Sequence, residues 1–170
     1  MKIVVYPDPL LLKRTTPLEE VTPEVRTRVA EMLRMMYDQH GVGLAAPQVG
    51  WSVKLFVMNE SGDPARPELE RVLINPRIVR RRGRVRGEEG CLSFPGMYVE
   101  VERARSIEVE SMDLDGHTTR YPLEDFPSRI VQHELDHLDN ILLVHRMSEA
   151  DRIRHRAALE ELRDSFESVR

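Results

Sequence analysis

The chain has one cysteine, Cys91, among its 170 residues. An intramolecular disulfide is therefore excluded, which fits a reducing compartment, and the lone thiol has three roles open to it: core filler, reactive group or metal ligand. No apolar run approaches the roughly eighteen residues that a membrane-spanning helix needs, because Lys, Arg or Pro breaks each patch. The first residues, Met1 to Pro9, carry one Lys but neither a sustained apolar stretch nor a small-residue cleavage site, so no secretory signal is read there. A cytoplasmic location is the default expectation. Charge of one sign is not in excess either: a formal net charge of −4 with 32% charged residues describes an ordinary surface and gives no global reason to expect DNA binding. Internal repeats and low-complexity tracts are also missing.

What is present suits one compact domain over residues 1–170, since the length and a 41% hydrophobic content suffice for a single core and are short for two. The Pro-, Gly- and charge-rich loop from Asn59 to Glu70 is too short for a domain linker. From Thr22 to Gly41 the pattern is helical: Thr22 suits an N-cap, Pro23 the first turn, and Val25, Val29, Met32, Leu33 and Met36 recur at helical spacing, with Gly41 as the stop. Val53–Met58, Val72–Ile74 ending at Asn75-Pro76, Tyr98–Arg103 and Ser106–Asp113 read as strands, and Asp115-Gly116 as a hairpin turn into Thr118–Tyr121. A second helix is predicted from about Pro127 to Asp139, with Ile130, Leu138 and Val131, Leu135 as apolar faces on two sides. A third opens at Ser148, with Asp151 three residues on, and carries Ile153, Ala157 and Leu162 as a thin apolar stripe. Strands first and a buried helix later is the order of an α+β domain.

The chemistry sits on that second helix. His133-Glu134-Leu135-Asp136-His137 places two imidazoles four residues apart, about 6 Å along a helix axis and about 40° around it, so both can reach one ion. Glu134 lies about 100° round from His133, where a general base for a bound water belongs, and Leu135 points the other way. Two histidines do not close a site, and Cys91 is the best third ligand in the chain. Three protein ligands leave a position open for water, as in a catalytic and not a structural site. The alternative is a coincidental spacing with Cys91 as buried filler, but a buried helix has little other use for two histidines and two carboxylates. One thiolate and two imidazoles accept Fe(II), Zn(II), Ni(II) or Co(II).

Three stretches, Gly41-Val42-Gly43-Leu44-Ala45-Ala46-Pro47-Gln48, Glu89-Gly90-Cys91-Leu92-Ser93 and Gln132-His133-Glu134-Leu135-Asp136-His137-Leu138, resemble the signature motifs of the peptide deformylases in residues, order and spacing. The resemblance runs from Tyr6-Pro7-Asp8-Pro9 to the C-terminal helix. The fold it implies is α+β, with antiparallel or mixed sheets packed around a central metal-binding helix and a helix at each end. It implies that Cys91, His133 and His137 hold one metal ion, with Fe(II) favoured, and that Glu134 is the general acid and base. It gives the Gln48 side-chain amide and the Leu92 backbone N–H the role of donors to the formyl oxygen, and Gly41, Val42 and Gly43 that of a segment along which a peptide lies. The implied reaction removes the formyl group from the N-terminal formyl-methionine of a newly made polypeptide, in a site too tight for bulkier acyl groups or internal bonds. Asn140 and His145 stand where the family commonly has Gly and Asp, away from these motifs.

Other readings remain beside this one. A peptidase of the zincin type would draw its third ligand from downstream of the helix, and a metal-stabilised binding protein would have lost Glu134 or Gln48. Asp136 is read as an ion-pair residue with Arg103 as partner, and His40, His117, His145 and His155 as surface or satisfied histidines. The basic run Arg77, Arg80, Arg81, Arg82, Arg84, Arg86 reads as a solvated strand or hairpin before it reads as a face for ribosomal RNA or nascent-chain acids. The C-terminal helix, with Arg152, Arg154 and Arg156, resembles the family element that contacts the ribosome, a transient partner.

Overall fold

The computed structural model describes residues 1–168. Helix α1 (Pro23–Asp38) starts where Thr22 accepts a hydrogen bond from the Val25 N–H, and it buries Val25, Val29, Met32 and Met36. Its end differs from the expected glycine stop. His40 takes the left-handed conformation at φ 54, and the His40 and Gly41 amides close on the Tyr37 and Met36 carbonyls. This is a Schellman ending with a histidine in the glycine place, and Gly41 follows it.

A five-stranded sheet follows from β1 (Gly43–Ala45), β2 (Leu55–Asn59), β3 (Glu70–Arg82), β6 (Ser106–Met112) and β7 (Thr118–Glu124), ordered β1-β2-β3-β6-β7. β4 (Val85–Cys91) and β5 (Phe94–Arg103) form a separate hairpin. All pairings between these strands are antiparallel, and one isolated bridge, Thr16 with Val53, is parallel. The strand expected to end at Asn75-Pro76 runs on to Arg82. Asn75 absorbs the break at φ 50, with its side chain clamped to the Leu18 backbone, and the register shifts between Ile74 and Arg77, so the proline sits at an irregularity instead of a ladder position. The basic run is strand, as expected, but not a hairpin. The chain crosses at Gly83, φ 64, from one sheet into the other.

Helix α2 (Asp125–Leu138) lies between the two sheets. Ile130, Val131 and Leu138 pack on Phe56, Met58, Ile107 and Val109 of the large sheet. Helix α1 covers the other face of that sheet through Leu55, Val57 and Ile74. β2 is therefore buried at every position, with alternate side chains serving alternate helices. The sheets packed around a central helix match the expected α+β class, and no described helix is long and apolar enough to cross a membrane.

The C-terminal helix is interrupted. Ser148 caps α4 (Glu149–Arg154) by accepting from the Asp151 N–H, then the chain restarts as α5 (Arg156–Ser168) after His155. Asp151, His155, Ala158, Leu159 and Leu162 are buried or half-buried at one helical spacing through the break, so of the expected stripe only Leu162 packs, with Leu159 and Ala158, on the hairpin core, while Ile153 and Ala157 lie on the opposite face and are exposed. Short α3 (Leu143–Arg146) precedes them, with His145 Nδ1 accepting from the Leu142 N–H. α2 itself ends on Asn140 at φ 60, the left-handed position a glycine would fill.

Candidate metal centre

Alternation along the hairpin decides what faces α2. On β5, Met97, Val99, Val101 and Arg103 are buried and the residues between are exposed; Arg103 thus stands where the strand's period calls for a core residue. On β4, Glu89 is buried in register with Val99, and Cys91 ends the strand at a register shift before the two-residue turn Leu92-Ser93. Glu89 and Cys91 therefore point at the helix side that carries Arg129, His133 and His137.

The sequence-identified donors converge. One ligand atom each from Cys91, His133 and His137 lies within 4.8 Å of the others, and Cys91 Sγ is 3.3 Å from His137 Nε2. Burial holds the His137 pKa well below the ordinary histidine value, so this ring is neutral and its lone pair free for a cation. Burial also acts against a charged His133, yet its hydrogen bonds with Cys91 and Glu89 outweigh that and raise its pKa well above the usual value. The ring thus sits in a negative environment. His137 Nδ1 and Glu134 Oε2 are buried with no hydrogen-bond partner among the described residues. A thiol, two imidazoles and beside them a buried carboxylate oxygen without a partner fit a soft-to-borderline divalent ion.

Glu134 is 4% exposed, and burial raises its carboxyl to about 7, so it can both take and release a proton near neutrality. Its position depends on Gly43: a Cβ on that residue would stand 2.4 Å from Glu134 Oε1. Gly43 therefore serves the carboxylate as well as the open backbone expected of it. Gln48 is held by its own loop, with Oε1 accepting from the Ala45 N–H at 2.8 Å, which leaves Nε2 aimed at Ser93 Oγ (3.2 Å) and Cys91 Sγ (3.6 Å). Gly41, Val42, Gly43, Leu92 and Glu134 share a cleft of about 500 Å³.

One residue acquires a role that its place in the second motif alone did not suggest. Glu89 accepts from Arg103 Nε (2.8 Å) and Nη2 (2.9 Å), from Arg129 Nη1 (2.8 Å) and contacts His133 Nδ1 (2.9 Å). It fixes which His133 nitrogen faces the ion site, as carboxylates beside metal-ligating histidines do. Burial raises its pKa, but hydrogen bonds and charge from Arg103 and His133 prevail and hold it at about 2. Arg103 also meets Asp136 at 2.7 Å, the expected partner, and Arg146 shares that carboxylate. The signal lay in the sequence: a Glu two residues before Cys91 on the same strand face, and an Arg four residues before His133 on the same helix face.

A helix-borne histidine pair, a thiol and a buried carboxylate of near-neutral pKa define the class as that of a metal-dependent hydrolase. The family model of polypeptide deformylase matches residues 1–153. The chain is 44% identical over 162 residues to the peptide deformylase of Alkalilimnicola ehrlichii, covering 95% of this chain and 90% of that one. It is 40% identical over 166 residues to that of Aquifex aeolicus, covering 98% and 96%. The crystal structure of a plant peptide deformylase superposes with a TM-score of 0.95 at 39% identity, over 99% of this chain and 91% of that one. A peptide deformylase from Plasmodium falciparum gives a TM-score of 0.95 at 36% identity, over 98% of each chain. The chain belongs to the polypeptide deformylase family.

Proposed function

We propose that this chain, acting as one catalytic domain, removes the formyl group from the N-terminal formyl-methionine of new polypeptides and releases formate, at a single ion held by Cys91, His133 and His137. The observation that carries this is the convergence of those three donors beside a buried Glu134 whose carboxyl is raised to about 7. A divalent ion there supplies Lewis-acid activation of water and carbonyl. Glu134 accepts a proton from the attacking water and returns it to the amine nitrogen as the C–N bond breaks, so that formate and a free amino terminus leave. Gln48 Nε2 and the Leu92 N–H donate to the oxygen of the formyl group as charge develops on it; the Ala45 bond to Gln48 Oε1 keeps the amide from turning its acceptor to that oxygen.

The peptide's placement follows from topology. β1 is the edge strand of its sheet, so the segment Gly41, Val42 and Gly43 that leads into it can pair with an extended chain along the cleft. Val42, Leu92 and Ile130 give the cleft aliphatic walls suited to a first side chain such as methionine. Fe(II) is the ion proposed in cells, with Zn(II), Ni(II) or Co(II) as substitutes; a thiolate-bound ferrous centre is sensitive to oxidation. The working location is the cytoplasm, and a transient ribosome contact would use the exposed Arg152, Arg154 and Arg156 of the α4–α5 segment.

The test compares formyl-, acetyl- and internally bonded peptides of one sequence as substrates for anaerobically purified, metal-loaded protein. Formate release with the other two untouched is expected. Cleavage of the internal bond would instead make the chain a peptidase.

A further inference from the structure

A second recess, of about 890 Å³, opens on a different flank of α2 from the cleft. Its wall on α2 is Gln132, Leu135 and Asp136, continued by Asp139 just past the helix end, whereas the cleft takes Arg129, Ile130, His133 and Glu134. Six arginines line it: Arg77, Arg81, Arg82, Arg84, Arg103 and Arg146. Three carboxylates, Glu102, Asp136 and Asp139, oppose them, leaving an excess of three positive charges in a chain whose formal net charge is −4.

The neutralising contacts are unevenly placed. Asp136 is taken up by Arg103 and Arg146, Arg103 is also held by Glu89 at 2.8 Å, and Arg77 is turned to Glu110 at 2.9 Å, these last two carboxylates lying outside the recess. Asp139 meets Lys54 at 3.9 Å. Arg84 reaches Glu102 at 3.3 Å with its side chain 81% exposed, a contact that water and salt largely screen. Arg81 and Arg82 have no carboxylate within 4 Å among the described residues. The corner at Gly83, where the chain changes sheets, brings these arginines together above an apolar floor of Ile78, Leu135 and Ile141.

We propose that this recess binds a small phosphate polyanion, such as a di- or triphosphate group. The Arg81 and Arg82 guanidinium forks, left without counter-charge, and the exposed Arg84 beside them match a ligand with more than one negative charge, and a single carboxylate would leave part of that charge unmatched. The volume is that of a small-molecule pocket, and a concave recess suits a compact anion better than a nucleic-acid backbone laid along a stripe.

The test is calorimetric titration of the metal-loaded protein with sodium tripolyphosphate, beside a variant carrying Arg81→Glu and Arg82→Glu. Saturable binding, weakened ~10-fold or more in the variant and strongly reduced by added salt, is expected. Formate release from a short formylated peptide should be the same in both proteins, which shows that fold and ion are intact. No saturable binding, or binding that persists in the variant and so arises at the metal, would overturn the proposal. Binding of a single-stranded RNA oligomer with none of tripolyphosphate would overturn it too.

Discussion

The Glu134 carboxylate rests against the backbone of Gly43, where a Cβ would meet Oε1 at 2.4 Å and Cδ at 2.9 Å. The glycine is required there for space, and one methyl group is enough to displace the proton carrier. Gly43→Ala is expected to lower kcat/KM by ~10²-fold through misplacement of that carboxylate, with metal content unchanged. Steady-state formate release on metal-analysed samples checks this; wild-type turnover would mean that the carboxylate does not need its observed place.

Glu89 holds three partners at once, so its loss should be felt in both stability and metal retention. Glu89→Gln leaves Arg129 buried without its counter-charge and Arg103 with Asp136 alone, and a cost of about 3–5 kcal/mol in unfolding free energy is expected. The untethered His133 should also bind its ion about 10- to 100-fold more weakly, read as faster loss to a chelator. A variant as stable and as slow to lose metal as the parent would remove Glu89 from the account.

The same carboxylate sets an acid limit. Its folded pKa, about 2, lies below the ordinary carboxylate value near 4.5, so an unfolded chain binds the proton first. The stability it contributes is present in full above that ordinary value and is lost as the pH falls from there toward 2, on the order of 3 kcal/mol in all. Denaturant midpoints between pH 6 and pH 2.5, in steps of about half a unit, should fall steeply in the parent and less so in Glu89→Gln. Parallel curves would contradict this.

Gln48 has its acceptor pinned by Ala45 and its donor free to face the reaction. Gln48→Ala is expected to lower kcat by ~10²–10³-fold with little change in KM, because the lost bond matters when charge develops on the oxygen. A change confined to KM would assign Gln48 to binding the peptide instead.

The parts legible in the sequence were those with a local period or motif. His133, Glu134 and His137 follow from one helical turn, and α1 and α2 were found to within a few residues because their apolar faces recur at helical spacing. Cys91 was legible by elimination, as the sole thiol. What the sequence hid depends on distant contacts. Asn75 reads as a strand end because Asn-Pro breaks strands locally; its bonds to Leu18 hold the break, and pairing with β6 resumes at Arg77. The C-terminal stripe was read on the wrong face: Asp151, His155, Leu159 and Leu162 recur at helical spacing on the buried side, and Ile153, the more apolar residue, lies opposite them and is exposed. Arg103 is charged at a strand position that alternation assigns to the core, and its reason is the pair of carboxylates, Glu89 and Asp136, delivered from β4 and α2.

The most direct test of the account is formate release from a formyl-methionyl peptide by Glu134→Ala beside the parent, with both proteins loaded to the same measured ion content. The expected result is a ~10²–10⁴-fold lower kcat in the variant with the ion retained, since Cys91, His133 and His137 are untouched. Turnover within a few-fold of the parent at equal ion content would show that Glu134 does not carry the proton, and would contradict the mechanism.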